Sequence, residues 1–171
     1  MTSIRPAVPA DATAIARVQV ATWRVAYVGI MPDEVLAEMS PESHAQRWHR
    51  TLIDHPKGTL VAVGPDDEVL GFSRVGPSRD DDAAPMTGEV IALYVLPEHW
   101  GTGIGFRLWE AATALLRRQG FQHVTLWTLE DNHRGRSFYE SVGLELDSVP
   151  PRPFRIGGAE LPSLRYRTAP P

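Results

Sequence analysis

A strand that leads through a glycine-rich turn into a helix is the feature that most constrains the fold of this chain. Residues 89–95, Glu-Val-Ile-Ala-Leu-Tyr-Val, form the nearly continuous apolar run typical of a strand buried on both faces. Residues 100–105 read Trp-Gly-Thr-Gly-Ile-Gly, and the apolar spacing that follows is helical up to Gly120. Glycines at alternate positions let the backbone approach a ligand and present N–H donors to it. The unit therefore predicts an anion-binding loop.

This turn, taken alone, is as often a tight connection as a phosphate site. It lacks the Gly-Lys-Ser/Thr ending of a nucleoside triphosphate loop. It also lies mid-chain behind a hairpin, whereas a dinucleotide fold has Gly-x-Gly-x-x-Gly in an early strand-helix-strand unit. A helix start carries a partial positive charge of roughly half an electron, to which Arg107 would add, so few basic side chains are needed. The pattern favours a phosphate-bearing cofactor of another kind.

The remaining elements are predicted from apolar spacing and from turn residues. Asp11 is expected to accept from unpaired N–H groups at the start of the first helix, and Ser40 to cap a third one. The predicted strands are 4–8, a hairpin at 59–75, 123–129 and a last group from residue 144 to residue 167. The predicted helices are 11–27, a short one from Pro32, one from Pro41, the one after the glycine turn, and 134–142.

Length and composition limit the class of protein. The 171 residues suit a single domain spanning 1–171. A formal charge of -4 gives no broad attraction to nucleic acid or anionic membranes, so neither is an expected partner. The absence of cysteine excludes a disulfide framework, a thiolate zinc site and a covalent cysteine intermediate. No apolar run approaches the roughly 18 residues of a membrane span, which predicts a cytoplasmic protein.

Two segments of the chain resemble the signatures of a known family. Residues 100–105 are similar to Arg/Gln-x-x-Gly-x-Gly/Ala, and residues 132–144 to Asn-x-Arg-Ala-x-x-Phe-Tyr-x-x-x-Gly-Phe. Together with an opening strand and helix over residues 4–15, they make the chain resemble the GNAT superfamily of acyl-CoA N-acyltransferases over nearly its whole length. Trp100 stands where the family has Arg or Gln, which weakens the expectation that this side chain holds phosphate. Leu144 replaces a Phe, and only packing should change.

The resemblance implies a fold, a cofactor and a reaction. The expected fold is α/β of the α+β kind: a twisted, mixed, mostly antiparallel sheet of about six to seven strands flanked by helices, with strands four and five splayed. Acetyl-CoA is the implied donor, with its pantetheine arm along strand four and its diphosphate at the glycine turn. The implied reaction is direct acetyl transfer to a primary amine of a small molecule or peptide in a ternary complex. A homodimer is a further expectation. The implied cofactor-binding residues are Leu93, Tyr94, Val95, Gly101, Thr102, Gly103, Ile104, Gly105, Phe106, Asn132 and Tyr139.

Acyl transfer needs a base for the amine and a proton for the departing thiolate. By resemblance, Tyr139 is the general acid, although packing as a half-buried aromatic is an alternative. Glu89 matches the position of the family's base, with Glu130 and Asp131 as fallbacks and ordered water as another route. Glu89 is equally well read as a solvated residue at a strand end. Asn132 is expected to cap its helix, to bind the cofactor, or both.

The N-terminal helices and the final strands are expected to bind the acceptor and to determine which amine is accepted. Trp23, Arg24 and Tyr27 lie on or just past the first helix, where the aromatic residues would offer a floor for a substrate, although core packing is the commoner role of such residues. The acidic run at residues 79–85 mildly favours a cationic acceptor, whereas charge runs are usually solvated tips. No metal is expected, because the histidines lack paired ligand spacing. The histidines are His44, His49, His55, His99, His123 and His133.

Two other classes of function stay open at this point. A non-catalytic acyl-CoA-binding module would keep the glycine turn and lack turnover. An enzyme acting on protein N-termini would share the cofactor site and differ in its acceptor. Sequential kinetics and the effect of Tyr139→Phe on thiol release separate the leading hypothesis from the binding module.

Overall fold

The computed structural model describes residues 1–168, which form one mixed sheet with helices packed on it. Short 3-10 turns at Pro9–Asp11 and Pro97–His99 precede the first long helix and the glycine turn. The fold class expected from the sequence is confirmed. The elements in chain order are β1 (Ser3–Pro6), α1 (Ala12–Ala26), α2 (Asp33–Glu38), α3 (Pro41–Asp54), β2 (Thr59–Val63), β3 (Val69–Pro77), β4 (Thr87–Val95), α4 (Ile104–Arg118), β5 (His123–Leu129), α5 (His133–Ser141), β6 (Leu144–Leu146), β7 (Arg152–Ile156) and β8 (Ala159–Thr168).

The sheet has the strand order β1-β2-β3-β4-β5-β8-β6, with β7 paired to β8. Every pair is antiparallel except β4 with β5. The sheet has eight strands, whereas six to seven were expected. The additional strand is β7, to which the proline-rich segment contributes residues. Pro153 lies within β7 opposite Pro162 of β8, at the end of the hairpin that residues 152–156 and 159–163 form.

The parallel strands β4 and β5 separate soon after they pair, as expected. Their register covers only Thr87 with His123, Gly88 with Val124, and Glu89 with Thr125. Residues 90–95 of β4 therefore have no strand partner on that side. The Val95 carbonyl accepts from Trp100 and Thr22, and the other backbone groups on this edge lack a strand hydrogen bond.

Helices cover both faces of the sheet. Adjacent residues of a strand point to opposite faces, and on β3 the Phe72 ring lies 4.9 Å from the Trp48 ring of α3. A Cβ added at the neighbouring Gly71 would instead meet Leu108 of α4 at 3.1 Å. The main core lies between these layers. A smaller apolar cluster joins α1, α2 and β5 and consists of Val20, Tyr27, Met31, Leu36, Met39 and Leu129.

Two details near the N-terminus differ from the expectation. The first strand ends at Pro6, and the Val8 N–H donates to the Asp11 carboxylate at 2.8 Å. Asp11 does not accept from the first turn of α1; its carboxylate pairs with Arg5 at 2.7 Å, and this hydrogen bond lowers the pKa of Asp11. The predicted Ser40 cap is confirmed, since its hydroxyl accepts from the Ser43 N–H at 3.2 Å. Within residues 1–168, no helix combines the length and the apolar character that crossing a membrane requires.

Candidate active site

The gap between β4 and β5 opens into a cavity of about 610 Å³. The turn before α4, the start of α5, the end of α1 and strand β7 complete its wall. Thr102 and Ile104 do not line it: the Thr102 hydroxyl donates to the His99 carbonyl at 2.7 Å, and Ile104 is buried in the core. The predicted cofactor residues that do line it are Leu93, Tyr94, Val95, Gly101, Gly103, Gly105, Phe106, Asn132 and Tyr139.

The glycine turn presents backbone donors in the wall of this cavity. Gly101 and Gly103 have φ of 77° and 86°, a left-handed conformation that residues with a side chain rarely adopt. The first intrahelical bond of α4 runs from the Arg107 N–H to the Gly103 carbonyl. The N–H groups of residues 104–106 have no acceptor in the part of the chain described, as expected at a helix start. The arrangement suits an anion.

Trp100 takes a structural role in this turn. Its indole N–H donates to the Val95 carbonyl at 2.7 Å, which ties the turn to the end of β4. The Arg134 guanidinium stacks over its ring at 4.5 Å. Sequence reasoning did not single out Arg134, although it occupies the Arg position of the downstream family pattern. Stacking on Trp100 places a cation beside the turn that lacks the family's usual Arg or Gln.

Asn132 and Tyr139 stand on the same side of the cavity, at α5. Asn132 caps that helix, since its Oδ1 accepts from the Gly135 N–H at 3.1 Å, and its Nδ2 donates to the Thr128 hydroxyl at 3.2 Å. Tyr139 packs between aromatic neighbours, with its ring centroid 5.5 Å from that of Phe138. Desolvation raises the pKa of the Tyr139 phenol well above its ordinary value, and nearby Tyr94 adds to the effect. The Tyr139 hydroxyl is therefore protonated at neutral pH and able to donate.

Glu89 is buried behind Arg79. Its carboxylate accepts from the Arg79 Nη2 at 2.6 Å, Nε at 3.0 Å and backbone N–H at 3.1 Å. The interpretation as a solvated strand-end residue is wrong, because Glu89 is only 1% exposed. Arg79 lines the cavity; Glu89, Glu130 and Asp131 do not, and no carboxylate does within the described residues.

The opposite side of the cavity is aromatic. Trp23 and Tyr27 line it, as predicted, and their ring centroids are 5.2 Å apart. The Trp23 ring also lies 6.5 Å from Phe154 of β7 and 6.3 Å from Tyr94. Arg24 turns away and donates to the Leu36 and Met39 carbonyls, outside the cavity.

The acidic loop after β3 is exposed at Asp81 and Asp82, as expected, but the Asp80 side chain is buried. The Asp80 side chain is 4% exposed and accepts from the Trp127 indole at 3.0 Å, from Arg152 at 3.1 Å and from Arg165 at 3.2 Å. Asp82 accepts from Arg165 at 2.6 Å, and this hydrogen bond lowers the pKa of Asp82. Arginines thus pair with two of the three aspartates of the run, Asp80 and Asp82. As for metals, no group of three or more candidate side chains occurs among residues 1–168.

A sheet opened between two parallel strands, with a glycine turn at the gap, is the architecture of one class of acyltransferase, and comparison with known proteins agrees. The model of the acetyltransferase (GNAT) family matches residues 21–144. The chain therefore belongs to the GNAT family. The uncharacterized N-acetyltransferase YuaI of Bacillus subtilis is 30% identical over 161 residues, which cover 94% of this chain and 89% of YuaI.

Solved structures share the fold over almost the full length. PaiA N-acetyltransferase from Thermoplasma acidophilum, in complex with coenzyme A, superposes with a TM-score of 0.74, 20% identity and 98% of each chain covered. YncA from Salmonella typhimurium, with its cofactor acetyl-CoA, gives 0.72 and 21% identity, covering 98% of this chain and 92% of YncA.

Proposed function

We propose that this chain is an acetyl-CoA-dependent N-acetyltransferase that transfers the acetyl group directly to a primary amine of a small molecule or peptide. The observation that carries the proposal is one cavity that joins three kinds of group. These are the unpaired backbone donors of the glycine turn, the protonated phenol of Tyr139 and an aromatic pocket at Trp23. A transferase that forms a ternary complex needs all three in one space.

The cofactor fits the residues that stand in this cavity. The unpaired N–H groups of Gly105 and Phe106, in the cavity wall, suit its diphosphate, and Arg134 supplies a positive charge beside them. The free edge of β4 at residues 93–95 suits the amides of the pantetheine arm, which would bind like an added strand. Asn132 has one amide hydrogen beyond its bond to Thr128 and lies on the same wall.

The proposed reaction uses few protein groups. The neutral amine attacks the thioester carbonyl, a C–N bond forms, the C–S bond breaks, and the thiolate takes the proton of Tyr139. The amine gives up one proton to solvent, and Tyr139 recovers its own from water. Transfer is direct, because the chain has no cysteine to carry the acetyl group.

The proton of the amine has two routes, to water in the cavity or through water to Glu89. The occupied oxygens of Glu89 support the first route, since Arg79 separates them from the cavity. Glu89→Gln is then expected to destabilise the fold by about 1–3 kcal/mol, because it weakens a buried charge-assisted pair. The pH profile of kcat/KM is expected to keep its shape. Loss of its acidic limb in this variant would identify Glu89 as the base.

Arg134 is expected to strengthen cofactor binding by charge. Arg134→Met should weaken the binding of coenzyme A by about 3-fold to 10-fold at low salt, and by less at high salt, because an exposed cation is screened. Arg118→Met is the matched control, an exposed arginine at the far end of α4 and outside the cavity wall. Titration calorimetry at two ionic strengths measures the effect, and equal losses in both variants would contradict the assignment.

A panel of primary amines with acetyl-CoA, followed by detection of free thiol, tests the proposed function. We expect amine-dependent thiol release and initial rates of the sequential pattern, with lines that intersect. Binding of coenzyme A without turnover for any amine would instead indicate an acyl-CoA-binding module. Parallel lines typical of a ping-pong reaction would contradict direct transfer.

A further inference from the structure

The charged side chains in the cavity wall are arginines, within the part of the chain that the structure describes. Arg79, Arg134 and Arg152 line the cavity, and no Asp or Glu does. Arg134, on α5, lies beside the glycine turn, because its guanidinium stacks on Trp100. Arg79 and Arg152 have no part in the cofactor proposal, so their presence in the wall calls for a separate explanation.

Arg152 lies on the face of the sheet opposite α5. On β5 the Thr128 hydroxyl accepts from Asn132 at the start of α5, so Thr128 faces α5. Its neighbour Trp127 points to the other face. The Arg152 guanidinium lies 4.0 Å from the Trp127 ring, and Leu129, on the same face, packs in the cluster that contains Tyr27.

Contacts with neighbouring residues hold both arginines in place, and each guanidinium still has N–H groups without a hydrogen-bond partner among the described residues. Arg152 gives one Nη1 hydrogen bond to buried Asp80 and stacks on Trp127, and its side chain is 45% exposed. Its Nε and Nη2 have no partner among the residues described. Arg79 uses Nε and Nη2 on Glu89, its Nη1 has no partner there, and its side chain is 59% exposed. A guanidinium has five N–H donors, so each has several left for a ligand.

No carboxylate lines the cavity within the described residues, and the acids next to its arginines are paired. Asp80, Asp82 and Asp147 all accept from Arg165, and Glu89 accepts from Arg79. A cationic acceptor in the cavity would meet guanidinium groups and no carboxylate in the wall that the structure describes. The mild preference for a cationic acceptor suggested by the acidic run is therefore not supported by the fold.

We propose that the acceptor is an amino-acid-type molecule: a primary amine that also carries a carboxylate and an apolar side chain. Arg152 and Arg79 bind the carboxylate, because a guanidinium fork matches its two oxygens. The aromatic pocket of Trp23, Tyr27 and Phe154 holds the apolar part. This inference rests on the proposed function, which it makes more specific.

The turnover test compares L-phenylalanine with 2-phenylethylamine, which differ only in the carboxylate, and adds spermidine as a cationic acceptor. The readout is the ratio of kcat/KM for the acid to that for the amine, with acetyl-CoA and thiol detection. We expect Arg152→Met to lower this ratio at least about tenfold, because it removes charge-assisted hydrogen bonds. The two acceptors differ in the basicity of their amines, but this difference affects the ratio equally in the wild type and in the variant. Comparing the two ratios therefore removes it. The fold should tolerate the change, since Asp80 keeps Arg165 and Trp127.

Arg155→Met on the same strand is the control. Arg155 is 77% exposed, pairs with Glu160 and does not line the cavity, so the ratio should stay as in the wild type. An unchanged ratio in Arg152→Met, an equal fall in both control and test variant, or a preference for spermidine would overturn the inference.

A binding test separates this inference from the proposed function. Calorimetry in the presence of coenzyme A compares 3-phenylpropanoate with 3-phenylpropanamide, neither of which can be acetylated as an amine. We expect the acid to bind at least about tenfold more tightly, and Arg152→Met to remove the difference. Equal binding of acid and amide would overturn the inference even in an active enzyme. If the acid binds as expected and no amine releases thiol, the anion site stands and the proposed function fails.

Discussion

Tyr139→Phe is expected to lower kcat by about 10²-fold to 10³-fold and to leave the affinity for coenzyme A nearly unchanged. The substitution removes one oxygen, so the thiolate loses its proton donor while the aromatic packing against Phe138 is kept. Rapid measurement of thiol release at saturating acetyl-CoA gives kcat, and calorimetry gives the affinity.

The pH dependence gives an independent test of the same group. Desolvation raises the pKa of the Tyr139 phenol well above its ordinary value, so the acid form persists as the pH rises through about 10, where a free tyrosine ionises. The wild-type kcat should therefore show no alkaline fall from this group below that pH. A fall near pH 8 to 9 that disappears in Tyr139→Phe would contradict the assigned environment.

Tyr166→Phe is the matched control for the phenol. Tyr166 is fully buried with its ring 6.3 Å from Tyr139, but its hydroxyl donates to Glu140 and it does not line the cavity. Losing that bond should lower the free energy of unfolding by about 1–3 kcal/mol and leave kcat within about threefold. Comparable losses of kcat in both variants would assign Tyr139 a packing role.

Gly103→Ala is expected to weaken the binding of coenzyme A at least about tenfold. The φ of Gly103 is 86°, and a Cβ added there meets no protein atom within 4 Å, so it would project into the open space at the mouth of the cavity. That is where the diphosphate is proposed to approach the backbone donors. A displaced charge-assisted hydrogen bond costs about 1.5–3 kcal/mol, which is tenfold or more in affinity.

Gly120→Ala isolates the contribution of backbone strain. Gly120 follows the other end of α4, has a φ of 93°, also meets nothing within 4 Å and lies outside the cavity wall. Both variants should lose about 1–2 kcal/mol of stability from the left-handed conformation, and only Gly103→Ala should lose affinity. Similar affinities in the two variants would exclude close contact between the turn and the cofactor.

The part of the site that local sequence determines was predictable. Apolar spacing and glycine placement gave β4, the turn and α4, and the paired motifs gave the family and the splay between β4 and β5. The cap of Asn132 and the aromatic pair of Trp23 and Tyr27 also depend on neighbours close in the chain.

The contacts between distant segments were not predictable from one sequence. Asp80 binds Arg165, 85 residues further along the chain, and Arg152, 72 residues further along. An acidic run predicts solvation only if no cation meets it in the fold, and periodicity carries no information about such partners. For the same reason, the sequence did not predict the ion pair between Arg79 and Glu89 or the stacking of Arg134 on Trp100.

Titration calorimetry of the purified wild-type protein with coenzyme A tests whether the cavity at the glycine turn binds this cofactor. We expect one site per chain with a dissociation constant in about the micromolar range, weakened at least about tenfold by Gly103→Ala and unchanged by Gly120→Ala. The absence of any heat of binding for coenzyme A and acetyl-CoA, with a folded wild-type protein, would contradict it.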